Sequence, residues 1–138
     1  MHVCRGNWTT DESVLLQGAY DKLGKFFDAL DLDMLALEFS TPRAGEVEKL
    51  FSNNFLDTRV MLGFGCVNPR SEIIETPEEI VSRVEELLQF LPPERIWLNP
   101  DCGFATFAKR PLNPYPIIRK KLENMVAASK ILREKYCK

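Results

Sequence analysis

The 138 residues are 45% hydrophobic and 28% charged, which suits one α/β-sized domain with a sizeable core. A net charge of -2, with both signs interspersed, leaves no basic stripe for nucleic acid and no polybasic patch for a membrane. No run approaches the ~18 apolar residues of a membrane span, and Met1-His-Val-Cys-Arg-Gly-Asn-Trp8 lacks an export signal's apolar core, so the chain reads as cytoplasmic. In a reducing compartment the four cysteines, at 4, 66, 102 and 137, read as metal ligands, catalytic groups or core residues rather than as disulfides.

In chain order, His2-Val-Cys4 has the i, i+2 spacing that turns two side chains to one side of an extended segment. Thr9 and Thr10, followed by Asp11 and Glu12, predict a helix start, with Leu16, Ala19, Tyr20, Leu23, Phe27 and Leu30 as its apolar stripe. Met34-Leu-Ala-Leu37 is a continuous apolar run, as in a strand buried on both faces, and it ends at Glu38. A short helix is expected over 46–51 and a second buried strand over Arg59-Val-Met-Leu-Gly-Phe-Gly65, whose glycines mark a bend or a close approach. Cys66-Val-Asn-Pro-Arg70 should then leave the sheet. Thr76-Pro-Glu-Glu79 is a capping box, followed by the stripe Ile80, Val81, Val84, Leu87, Leu88 and Leu91. Pro92-Pro93 stops that helix before the strand Ile96-Trp-Leu98, which Asn99-Pro-Asp101 closes, delivering Cys102 just beyond it. A long loop leads to a last amphipathic helix using Ile118, Leu122, Met125, Val126, Ser129 and Leu132.

Helices alternating with short apolar strands predict βαβ units and a parallel sheet of about three strands, with all strand carboxyl ends at one face. His2, Cys4, Glu38, Cys66, Asn68, Asp101 and Cys102 gather at that face. One nitrogen, one carboxylate and two sulfurs from His2, Cys4, Glu38 and Cys102 suit zinc, which deprotonates a coordinated thiol and so supplies a sulfur nucleophile at neutral pH. Each residue also has a plainer reading. Cys66 and Cys137 fit as small buried hydrophobes, His2 as a frayed end, Glu38 as one half of a surface ion pair with Arg43, Asp101 as a turn cap, and Trp8 and Trp97 as packing residues.

The set His2-Val-Cys4, Glu38 ending an apolar strand before a Ser/Thr-Arg loop, Glu94-Arg-Ile-Trp-Leu-Asn-Pro-Asp-Cys-Gly-Phe104 and Leu122-Glu-Asn-Met-Val-Ala-Ala128 resembles the carboxyl-terminal catalytic barrel of the cobalamin-independent methionine synthase family. The resemblance implies a (β/α)8 barrel, of which residues 1–138 would be the carboxyl-terminal portion, running from the end of the fifth strand through the eighth. It implies zinc held by His2, Cys4, Glu38 and Cys102, and methyl transfer from a methyltetrahydrofolate to the zinc-activated thiol of homocysteine, giving methionine. Where long members carry a proton-moving histidine this chain has Asn68, and Cys4-Arg-Gly-Asn7 is closer to short single-barrel paralogues. Two rival expectations stand beside this one: a non-catalytic zinc-binding or assembly module, and a thiol methyltransferase using a corrinoid donor. Three strands do not close a barrel, so the open edges call for a homodimer or for the remainder of the barrel.

Overall fold

The computed structural model describes residues 1–137. Four parallel strands form one sheet in the order β1 (His2–Val3), β2 (Met34–Glu38), β3 (Met61–Val67) and β4 (Ile96–Pro100). The expected three are therefore joined by a fourth, because His2-Val3 pairs with Ala36 and Leu37. Between them lie α1 (Gly24–Asp28), α2 (Val47–Leu50), α3 (Leu56–Arg59) and α4 (Pro77–Leu87), and α5 (Tyr115–Tyr136) closes the chain. Among the described residues no helix is long and apolar enough to cross a membrane.

The register sorts side chains by face. Leu37, Phe64 and Leu98 are successive partners on the side where the main core lies, with Leu35, Leu62, Leu50, Leu56 and Leu87 fully buried in that core. Phe64 stacks on Phe39 with centroids 5.4 Å apart. Ala36, Gly63 and Trp97 make the alternate row, and β2 is only half-buried at Met34 and Ala36, so burial alternates along it instead of being complete on both faces.

The capping box at Thr76 forms as its sequence requires, the hydroxyl accepting the Glu79 N–H and the Glu79 carboxylate accepting the Thr76 N–H. The helix expected from Thr10 to Leu30 does not. It is replaced by 3-10 turns at Glu12–Val14 and Tyr20–Leu23 and by the five residues of α1. Gly18 sits at φ 136°, and the Leu16 and Gly18 N–H groups donate to Arg5 and Arg43 carbonyls at 3.1 Å rather than up a helix. Tertiary partners thus take the backbone donors that helical periodicity would have used. Leu16 ends 70% exposed, while Tyr20 and Phe27 keep their core places.

Other expectations shift in detail. The strand expected over 59–65 runs from Met61 to Val67 because its pairing with β4 continues past a bulge between Gly65 and Val67, and Val67 O still accepts the Asp101 N–H. In α5 the buried positions are Lys121, Asn124, Ala128 and Leu132 rather than a purely apolar stripe. Lys121 Nζ meets Glu75 Oε2 at 2.9 Å and the Ile73 carbonyl, and Asn124 Nδ2 donates to Glu75 O at 2.8 Å, so the polar atoms go inside with partners and Leu122 and Val126 are left outside. Trp8 and Trp97 are 54% and 58% exposed and do not pack in the core, Trp97 because its row faces away from the helices. Cys66 is buried as expected, whereas Cys137 is exposed beyond the end of α5.

Gly65 shows what a close approach requires. A Cβ there would sit 2.5 Å from Leu37 O and 2.6 Å from Asp101 Oδ1. Both contacts are to fixed atoms at the carboxyl end of the sheet, so Gly65→Ala is expected to cost about 1 to 3 kcal/mol by forcing them apart; a urea midpoint unchanged from wild type would contradict that reading.

Candidate metal centre

The parallel order brings the ends of all four strands to one rim, where three ligand-type side chains converge. The His2 ring nitrogens and the Cys4 and Cys102 sulfurs offer donor atoms within 4.8 Å of one another. Cys102 Sγ lies 3.3 Å from Cys4 Sγ, 3.5 Å from His2 Nε2 and 3.2 Å from Glu38 Oε1. His2 is oriented by its other nitrogen. Nδ1 lies 3.0 Å from Ala36 O, and since a carbonyl only accepts, Nδ1 carries the proton and the Nε2 lone pair faces the sulfurs.

Glu38 is buried, and every polar atom of it is held. Its Oε1 accepts the Arg5 N–H at 3.0 Å, its Oε2 meets Arg43 Nη2 at 2.7 Å, and its backbone N–H donates to the Tyr20 hydroxyl at 3.0 Å. The Arg43 pair weighed as a surface contact is therefore formed but buried, and it coexists with the Cys102 contact because the two use different oxygens.

Asp101 does more than cap a turn. Its Oδ1 accepts the Phe39 and Ser40 N–H groups at 3.1 and 3.0 Å, and its Oδ2 accepts the Ser40 hydroxyl and Arg70 Nη2, the latter at 2.7 Å. Arg70 is itself buried and reaches Glu12 Oε1 through Nε at 3.1 Å. Asn68, expected at the site, does not touch the sulfurs; its Nδ2 donates to Glu12 Oε1 at 2.7 Å. Cys66 does not join the cluster either. It lies in the core with Sγ 3.6 Å from Asn99 O, and burial pushes its thiol up to about 12.

The donor set fits a divalent cation. Burial first, then the Cys4 thiol and the Glu38 carboxylate, push the Cys102 thiol well above its ordinary value, so protein alone disfavours the thiolate. Glu12, Glu38 and Asp101 are matched in number by Arg43 and Arg70, whose guanidinium groups pair with them, and by Arg5, which gives Glu38 its backbone N–H and keeps its guanidinium on nearby carbonyls, so two thiolates and a neutral histidine leave two negative charges for a doubly charged ion to balance. The residues that sequence reasoning missed are Arg5, Arg70, Glu12 and Asn7. Asn7 Nδ2 donates to Gly103 O at 2.6 Å and the Asn7 backbone carbonyl accepts the Thr106 hydroxyl, tying the loop after Cys102 to the segment after Cys4.

The family model described as the catalytic domain of cobalamin-independent synthase matches residues 6–131. The chain belongs to this family. The methionine synthase of Sulfurisphaera tokodaii is 35% identical over 134 residues, 97% of this chain and 33% of that protein. The 5-methyltetrahydropteroyltriglutamate--homocysteine methyltransferase of Candida albicans is 34% identical over 108 residues, 78% of this chain and 13% of that one. The structure of a B12-independent methionine synthase from Shewanella sp. W3-18-1 in complex with selenomethionine superposes with a TM-score of 0.75 at 19% identity, covering 97% of this chain and 38% of that chain. The fold is thus that of the (β/α)8 barrel family of the cobalamin-independent synthases, and the chain spans a third or less of the curated relatives just described.

Burial works against the charged form of Glu12, yet the Asn68 amide and the Arg70 guanidinium hold its carboxyl below the ordinary 4.5. A carboxyl lowered on folding stabilises above its unfolded value and ceases to as pH falls through the folded one. The stability gap between wild type and Glu12→Gln is therefore expected to be full at neutral pH and to shrink once pH drops below 4.5, as read from paired melting curves; a pH-independent gap would show that Glu12 is not held as a carboxylate.

Proposed function

We propose that the chain carries the thiol-activating centre of a zinc-dependent methyltransferase, in which a methyl group passes from methyltetrahydrofolate to the thiol of homocysteine to give methionine. The observation that carries this is the convergence of His2, Cys4 and Cys102, with Glu38 3.2 Å from Cys102. His2, Cys4, Glu38 and Cys102 would hold the ion. When bound, zinc supplies the positive charge that keeps an incoming thiol deprotonated at neutral pH. Residues 1–138 would form the carboxyl-terminal portion of a synthase barrel, consistent with four parallel strands and with the share of the relatives that is covered. Four free cysteines suit the cytoplasm.

The chain's own residues do the positioning. The Ala36 carbonyl fixes the His2 tautomer, Arg43 draws one Glu38 oxygen aside so that the other faces Cys102, and Asp101 holds the turn that carries Cys102. In the reaction the bond between methyl carbon and folate nitrogen breaks as the carbon–sulfur bond forms, and the nitrogen keeps the electron pair and needs a proton. Asn68 is no acid, and its amide hydrogen is directed at Glu12. That observation favours a second reading in which the donor is a methyl corrinoid, whose leaving group needs no proton. The half-exposed edge at Ile96, Trp97 and Leu98 is where a second copy or the rest of a barrel would pair.

The isolated chain is expected to bind one zinc and to make no methionine from methyltetrahydrofolate, since most of the rate of such a transfer comes from holding both substrates in line at about 3 to 3.5 Å. Metal analysis after purification should give near-stoichiometric zinc that falls at least about tenfold in Cys102→Ser, as expected when one of four ligands is lost. Stoichiometric zinc retained by that variant sinks the assignment, and methionine turnover that vanishes with Cys102→Ser would show that these four strands suffice for catalysis.

A further inference from the structure

The Glu12 carboxylate lies in a pocket of donors that its own demand does not fill. Its Oε1 takes Asn68 Nδ2 at 2.7 Å and Arg70 Nε at 3.1 Å, while its Oε2 has Arg43 Nε no closer than 3.7 Å. Arg43 Nε and Arg70 Nη1 are buried N–H groups without an acceptor, on side chains 5% and 0% exposed. Two buried N–H groups without an acceptor, on the two arginines that hold this one carboxylate, are costly in a low-dielectric setting and mark a donor set with capacity for a better-seated anion.

Each arginine has a second acid to hold it, whereas the Glu12 carboxylate has only this donor set. Arg70 is pinned by Asp101 and Arg43 by Glu38, both at 2.7 Å, whereas Glu12 stands on a three-residue 3-10 turn that buries none of its own residues. We propose that this pocket is a carboxylate-binding subsite and that a substrate carboxylate displaces Glu12 from it. The seat is one side chain removed from the thiol cluster, since Arg43 touches Glu38, which touches Cys102, and Arg70 touches Asp101, which precedes it. The ligand's identity rests on the function proposed above, because homocysteine bears an amino-acid carboxylate and the methyl donor bears glutamyl carboxylates. The chemistry that Asn68, Arg70 and Arg43 recognise is common to both.

Removing an internal competitor raises apparent affinity by the reciprocal of the fraction of time the seat is open, here expected to be about tenfold. Calorimetric titration of the full zinc-supplemented chain and of Glu12→Ala with glutarate, which has no thiol, tests the seat alone. Glutarate should bind Glu12→Ala about tenfold tighter than wild type, and the gain should vanish when Asn68→Leu is added. An equal affinity for both proteins, or a gain that survives Asn68→Leu, overturns the subsite. If Glu12→Ala does not fold, Glu12→Asp, whose carboxylate is one methylene short, should show a smaller gain of the same sign, and a folded Glu12→Asp without any gain is equally fatal. Homocysteine, 3-aminopropanethiol and γ-linked triglutamate then separate the sources. A gain for homocysteine but not for its decarboxylated analogue assigns the seat to the amino-acid substrate, a gain for triglutamate assigns it to the donor's tail, and a gain for glutarate alone refutes a substrate role. Zinc content measured on the same samples separates this from the metal assignment, which can fail while glutarate binding holds.

Discussion

The carboxylate of Asp101 is the contact on which the functional rim depends. It is buried with Arg70, and taking both charges out of water is tolerable because four donors converge on the carboxylate, the Phe39 and Ser40 N–H groups, the Ser40 hydroxyl and Arg70 Nη2. Two of those donors are the backbone N–H groups of Phe39 and Ser40, the residues that follow Glu38, and Asp101 itself precedes Cys102. One side chain therefore sets the distance between the end of β2 and the end of β4, and with it the 3.2 Å separation of Glu38 from Cys102. β3 contributes by what it lacks, since Gly65 leaves the space into which Asp101 settles.

Charges at the rim are arranged in the same economical way. Arg5 uses its backbone N–H on Glu38, places its guanidinium 4.0 Å from the Tyr20 ring centroid, and donates from Nη1 to the Arg43 carbonyl at 3.1 Å. Arg43 returns a bond to Arg5 O and completes the pair with Glu38. The two arginines and the tyrosine form a cage that leaves Glu38 one oxygen directed at sulfur. Removing a single member would leave its partner charged or polar in a dry site, which is where loss of one side chain costs most.

Much of this was legible in the residues. Short apolar runs stopped by Asn-Pro gave the later strands, Thr76-Pro-Glu-Glu79 gave the start of α4, and His2, Cys4, Glu38 and Cys102 stood at strand ends before any contact was known. What local pattern does not encode is which distant group satisfies a given donor. The segment from Leu15 to Ala19 has helical periodicity, yet its Leu16 and Gly18 N–H groups find carbonyls at Arg5 and Arg43. Lys121 and Asn124 look like solvent-facing positions until Glu75 and Ile73 arrive from 45 or more residues away. Arg70 and Glu12 carry no local signal, being a loop arginine and a first-turn acid, and their pairing across 58 positions exists only once the parallel sheet has brought their loops together.

β1 is two residues long and pairs with β2 alone, yet it carries one candidate ligand and immediately precedes another. The cluster joins these to Cys102, 100 positions later in the chain, across β2 and β3. An ion gripped there is a cross-link between distant points of the polypeptide, closing a loop whose entropy in the unfolded chain would otherwise be large. Docking of the shortest strand and affinity for the ion are then one equilibrium seen from two sides, and whatever loosens Val3 from Leu37 weakens a bond that neither residue makes.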